Sequence, residues 1–237
     1  MKLNYLSRNH LTLKRIPFPD MNTIDICIFS IKNFSYLSDS VNILSAQEQK
    51  KGASFAQEKD RLRFIGSRIL LRRIISLYLD YPAKKLSFQT GLHGKPYLSS
   101  DEKDFPEIYF NLSHSGEFIA LAFSPSSPVG IDIETVRANI NSEALVRRFF
   151  HPDEYIEFLK LDKTKQQEFI FRRWTVREAF LKGIGTGLSV SPDSFYVQAL
   201  SSMFCIKKGQ KDYSLWRIKP IPVPDSYFCS IAYKIPK

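Results

Sequence analysis

Gly130-Ile131-Asp132-Ile133-Glu134 reads as a strand, because a two-residue period sends Ile131 and Ile133 to one face and Asp132 and Glu134 to the other. The apolar face asks for a core and the acidic face for a cation. Two neighbouring carboxylates repel each other unless something positive sits between them. Magnesium is the simplest candidate, since hard divalent cations take carboxylate oxygens and leave positions for a phosphate. A lone D-x-E pair is also what a solvated strand face looks like. The surrounding chain has to decide between these readings.

Just upstream, Phe118 to Phe123 forms a second strand pattern, joined to the first by Ser124-Pro125-Ser126-Ser127-Pro128. A hairpin is therefore expected. Further back, Thr23 to Ile31 alternates Ile24, Ile26 and Ile28 with other residues, and Ser45 with Glu48 forms a capping box that starts a helix. That helix is expected to continue through Lys59 to Leu79, with Leu62, Ile65, Ile69 (or Leu70), Arg73 and Leu77 at helical spacing and Arg61, Arg63, Arg68, Arg72 and Arg73 around it, a basic amphipathic helix. Short strands follow at Leu86 to Phe88 and Ile108 to Leu112, the latter ending in Ser113-His114-Ser115-Gly116. Between them, Gly91-Leu92-His93-Gly94-Lys95-Pro96-Tyr97 is a turn whose backbone can approach a ligand while its lysine meets the ligand's charge.

Downstream, Pro152-Asp153-Glu154 opens a helix with acidic residues suited to its dipole, and Glu168 to Lys182 continues as a long amphipathic helix. Strands are expected at Ser194 to Leu200, Leu215 to Ile218 and Tyr227 to Tyr233. The order strand, helices, strands thus occurs twice. The expected class is α+β, with two similar halves at 1–116 and 117–237.

A 237-residue chain that is 43% apolar can bury a core of its own. Its three cysteines, Cys27, Cys205 and Cys229, are odd in number and far apart, which argues against a disulfide framework and a zinc site. The first twenty residues lack the unbroken apolar run of a signal peptide, and no stretch reaches transmembrane length, so a cytoplasmic protein without a membrane role is expected. A net charge of +10 implies an acidic partner. No long Lys/Arg block is present, so that charge is spread over folded segments.

Trp174, Glu178 and Lys182 are spaced four apart and share one helix face. Gly183-Ile184-Gly185-Thr186-Gly187 follows at once, and three alternating glycines exceed what a helix cap needs. Some other group is being brought close to that backbone. With Asp132 and Glu134, Glu178 would complete a three-carboxylate magnesium site, and Lys182 could neutralise charge developing on a phosphate oxygen.

G-I-D-I-E, followed by W-T-V-R-E-A-F-L-K and preceded by F-N-L-S-H-S-G and G-K-P, resembles the surfactin-synthetase-activator type of 4′-phosphopantetheinyl transferase. The resemblance spans roughly Ser45 to Pro192. It implies two similar α+β halves with pseudo-two-fold symmetry, an active site in the cleft between them, and a monomer. The implied reaction moves the phosphopantetheine arm of coenzyme A onto a serine of an acidic acyl or peptidyl carrier protein, releasing adenosine 3′,5′-bisphosphate. By motif position, Asp132, Glu134 and Glu178 would hold magnesium or manganese, and Lys182 the pyrophosphate. Lys95, Ser113 and His114 would bind the nucleotide and its 3′-phosphate, with Lys51 and Arg63 as further candidates for that phosphate. Glu178, Glu154 or a metal-bound water would take the serine proton. Arg177 stands where the family usually has lysine, which keeps the charge and changes the geometry.

Two rival readings use the same residues. A magnesium-dependent nuclease needs acidic groups, a lysine and a basic surface, but its common core places glutamate and lysine two apart on a strand, whereas Glu178 and Lys182 are four apart on an expected helix. A basic module that only docks an acidic protein or nucleic acid would leave the carboxylates and the glycine run unexplained.

Overall fold

The computed structural model describes residues 1–99, 104–137, 140–207 and 212–235. The chain forms two compact units, one of Met1–Leu92 with Pro96–Ser126 and one of Ser127–Lys237 with His93–Lys95. The boundary falls later than the expected 116/117 because the strand after it hydrogen-bonds within the first unit.

In the first unit, β1 (Lys2–Leu6) and β2 (Thr23–Ser30) flank the one-turn helix α1 (Arg8–Leu11). The one-turn α2 (Ser35–Ser38) and then α3 (Ala46–Ala53) lead to the long α4 (Glu58–Leu79). A small hairpin, β3 (Phe88–Thr90) and β4 (Pro96–Leu98), precedes β5 (Tyr109–Ser115) and β6 (Phe118–Ser124). The main sheet has the order β1-β2-β6-β5. Only β1 runs parallel to its neighbour. The expected continuous helix is broken between α3 and α4, where Ser54 closes the first helix on Lys51 O and Gln57 is extended. This break lets Phe55 pack on Phe64, with ring centroids 5.4 Å apart. Ile69, Leu70, Leu71, Ile74 and Ile75 of α4 are fully buried and supply much of this unit's core. Of the expected stripe only Ile69 and Leu70 are buried, while Leu62, Ile65, Arg73 and Leu77 are half-exposed, so the buried face is turned towards Leu71, Ile74 and Ile75.

The second unit runs β7 (Val129–Thr135), α5 (Ser142–Phe149), α6 (Pro152–Leu159), α7 (Lys163–Ile184), then β8 (Tyr196–Ala199), β9 (Phe204–Lys207), β10 (Trp216–Pro220) and β11 (Tyr227–Lys234). Its sheet has the order β7-β11-β10-β9-β8. The expected β6–β7 hairpin does not form: β6 pairs with β2 and β5, while β7 pairs with β11. The proline-rich connection is instead the passage from one unit to the next.

The expected internal repeat is visible in the pairing. In each unit the strand before the helices lies antiparallel to the unit's last strand, and that last strand pairs with the one before it. Each unit also carries one 22-residue helix. No helix among the described residues is long and apolar enough to cross a membrane.

Candidate active site

β7 and α7 pack more closely than side chains would allow. A Cβ on Gly130 would run into Ala179 O and Gly183 N, and one on Gly183 would come within 2.6 Å of the Trp216 ring. Gly130 is therefore required by the approach of the α7 backbone, and Gly183 by the packing of the Trp216 ring. Along β7, Ile131 and Ile133 are fully buried, as the alternation demands. Asp132, expected on a half-exposed face, is only 2% exposed. Lys182 Nζ reaches its Oδ1 at 2.6 Å, and the lysine side chain keeps 29% of its surface in solvent.

Glu178 lies one helical turn before Lys182. Burial pushes its carboxyl above the usual range, the nearby charges of Asp132 and Glu134 push the same way, and Lys182 opposes them. The three carboxylates therefore feel one another across a poorly solvated space. Among the described residues, no three His, Cys, Asp or Glu side chains converge into a ready-made cage. The donor set nonetheless suits a hard dication, since every donor is a carboxylate oxygen and their mutual repulsion is what added positive charge would relieve.

The glycine run after α7 is explained by a second turn. Gly185 closes the helix in the left-handed region at φ 72°, donating to Leu181 O. A Cβ there would sit 3.8 Å from Lys95 Cδ, and one on Gly187, at φ 53°, would sit 3.3 Å from His93 Cβ. The His93-Gly94-Lys95 turn is what these glycines approach. Lys95 was expected to meet a nucleotide, yet its ammonium donates to Val129 O at 2.9 Å, Lys182 O at 2.8 Å and Gly183 O at 3.2 Å. Burial lowers its pKa to about 8.

Two family models divide the chain between them: "4′-phosphopantetheinyl transferase, N-terminal" matches residues 33–126 and "4′-phosphopantetheinyl transferase superfamily" matches residues 128–232. The 4′-phosphopantetheinyl transferase gsp of Aneurinibacillus migulanus is 30% identical over 197 residues, covering 83% of this chain and 78% of that one. The chain belongs to the 4′-phosphopantetheinyl transferase family. The transferase Sfp of Bacillus subtilis is 34% identical over 158 residues, 67% of each chain. The L-aminoadipate-semialdehyde dehydrogenase-phosphopantetheinyl transferase of Mus musculus is 24% identical over 212 residues, covering 81% and 68%. With Glu178 and Lys182 on a helix and the family established, the nuclease and docking-module readings fall away.

Other residues proposed for this transferase from sequence lie elsewhere than expected. Glu154 is fully buried in α6, with its oxygens taken by Arg173 at 2.9 Å, by Arg177 and by Val197 N at 3.3 Å. A carboxylate sealed in that way cannot receive a substrate proton, so Glu154 leaves the list of bases. Arg177, fully buried beside it, also donates to Pro192 O at 3.1 Å. A guanidinium can bridge the acid and a carbonyl together, which an ammonium does less well.

In the first unit, Ser113 and His114 lie inside β5 and pair with Ala120 and Ile119, so they are not at a strand end. Strand alternation puts them on opposite faces, Ser113 7% exposed and His114 exposed. Arg63 is already committed, donating to Gly116 O at 2.6 Å and pairing with Asp60. Lys51 does line a cavity of about 290 Å³ with Glu48, Phe64, Arg68 and Arg72. Sequence reasoning passed over Arg68, whose guanidinium carbon lies 5.5 Å from the Phe64 ring centroid while Lys51 Nζ lies 5.6 Å from it. Arg68 Nε is buried with no hydrogen-bond partner among the described residues. The only sequence signal for it was its place in the arginine rim of α4.

Proposed function

We propose that this chain transfers the 4′-phosphopantetheine of coenzyme A to a serine hydroxyl of an apo acyl or peptidyl carrier protein. The serine oxygen bonds to the phosphorus on the pantetheine side, the bond to the bridging oxygen breaks, and adenosine 3′,5′-bisphosphate leaves. The observation that carries this reading is the pairing of Asp132 with Lys182 near the half-buried Glu178, in the unit that matches the transferase superfamily. Asp132, Glu178 and Glu134 would hold magnesium, or manganese, which when bound supplies charge neutralisation at the pyrophosphate. Lys182, partly exposed, has the reach to pass from Asp132 to a phosphate oxygen.

Burial and the neighbouring carboxylates hold Glu178 above its usual range only while no cation is bound; a metal on it would draw that carboxyl back down, so Glu178 serves first as a metal ligand and takes the serine proton only where the cation rests on Asp132 and Glu134. Within the first unit, the cavity lined by Lys51, Arg68 and Glu48 sets two cations against the flat face of Phe64, chemistry that suits a phosphate. An apolar cavity of about 230 Å³ beside Glu134, lined by Ile140, Leu145, Ile170, Phe171 and Trp174, offers room for the less polar arm. The +10 charge favours an acidic carrier protein, and the free cysteines favour a reducing, cytoplasmic setting.

The test is intact-mass spectrometry of an apo carrier protein incubated with the chain, coenzyme A and magnesium. Addition of one phosphopantetheine arm, lost with chelator, is expected. Folded protein that neither binds coenzyme A nor modifies any class of carrier protein would sink the proposal.

A further inference from the structure

We propose that Lys95 is a positioning residue that caps the carboxyl end of α7 and so holds Lys182 against Asp132, rather than a contact to coenzyme A. The inference rests on the reaction proposed above. A helix leaves its last carbonyls without partners inside the helix. In α7, Leu181 O receives the Gly185 amide, while Lys182 O and Gly183 O both receive Lys95 Nζ. The third acceptor, Val129 O, belongs to β7, three residues before Asp132. One ammonium therefore ties together the two elements that carry the Asp132–Lys182 pair.

An ammonium has three donors, and here all three have carbonyl partners, which leaves none for a phosphate. A cation at a helix carboxyl terminus also complements the helix dipole. The turn is shaped for this delivery. Gly94 takes a left-handed φ of 83°, and His93–Lys95 belong to the second unit although the residues on both sides belong to the first. Gly187 lacks the side chain that would crowd His93, and Gly185 supplies the left-handed turn that ends α7 beside Lys95.

The measurements are kcat and KM for coenzyme A on the full chain with an apo carrier protein, and hydrogen-exchange mass spectrometry of the last turn of α7. Lys95→Met keeps the stem and removes the donors. It is expected to lower kcat about tenfold, the cost of leaving buried carbonyls unpaired, with KM for coenzyme A unchanged within about twofold and exchange faster in α7 but not in α4. Lys95→Arg, which can still donate to carbonyls, restores most of kcat. A KM raised about tenfold with kcat and α7 exchange unaltered would show that Lys95 meets coenzyme A, and would overturn the proposal. If Lys95→Met does not fold, Lys95→Gln is read on the same two axes. A wild-type chain without transferase activity would defeat the proposed reaction alone, since the exchange experiment still decides whether Lys95 secures the helix end.

Discussion

Arg177 and Lys182 lie on the same helix, and each pairs with a carboxylate, but their surroundings differ. Arg177 and Glu154 are both sealed at 0% side-chain exposure, whereas Lys182 keeps 29% against 3% for Asp132. The sealed pair is surrounded by further partners, with Arg173 on the acid and Pro192 O on the guanidinium. Neither of its charges can leave without stranding the other, so it belongs to the architecture. In the other pair only the carboxylate is sealed, and the partly exposed ammonium keeps a path to water or to a phosphate. Solvent access, more than charge type or pairing distance, separates the structural pair from the one proposed for chemistry.

The largest expected effect tests the half-open pair. Asp132→Ala should reduce transfer by about 10³-fold or more, while thermal unfolding changes little because Lys182 can turn to water. A comparable collapse in stability would make this pair structural as well. Glu154→Gln should do the reverse, costing about 3–5 kcal/mol of stability by leaving Arg177 buried without its counter-charge, with kcat per folded molecule nearly kept. If calorimetry shows an intact protein whose transfer is lost, Glu154 is the base after all.

A smaller effect concerns pH. Burial and Asp132 raise the Glu178 carboxyl in the metal-free protein, so its titration without divalent cation, followed by NMR, should lie above that of an ordinary glutamate, and magnesium should move it down. Lys182 works against that rise, and Lys182→Met should move the metal-free titration further up. The smallest effect is on stability near Lys95. Its folded pKa of about 8 lies below the usual 10.5, so between those values the unfolded chain holds a proton that the folded chain has released. Stability contributed by this group therefore rises with pH through that window, by at most ~1.4 kcal/mol per unit. Denaturant titrations of wild type and Lys95→Met across it should diverge; parallel curves would mean that the ammonium is not desolvated.

Much of the site was legible because it depends on local periods. Alternation placed Ile131 and Ile133 inward, and the four-residue spacing put Glu178 and Lys182 on one helix face. The capping box at Ser45 and Glu48 formed as read, with bonds of 2.9 and 3.2 Å. The strand at Lys2–Leu6 and the helix at Ser142–Phe149 gave no comparable signal and were not anticipated. Pro125 and Pro128 were read as a hairpin turn because local composition does not say which sheet a strand will join.

The chain by itself therefore determined which residue types stand on which face of β7 and α7, since backbone geometry repeats every two or 3.6 residues whatever surrounds it. Only the tertiary structure decided what those groups meet. Asp132 finds Lys182 across 50 residues, Glu154 finds Arg177 across 23, and Lys95 finds the end of α7 across 87. Arg63 and Arg68, close neighbours on one helix, are separated into a tie to Gly116, 53 residues away, and a cavity wall in the same way. Desolvation and pairing energies belong to juxtapositions between distant segments, and no local period encodes them.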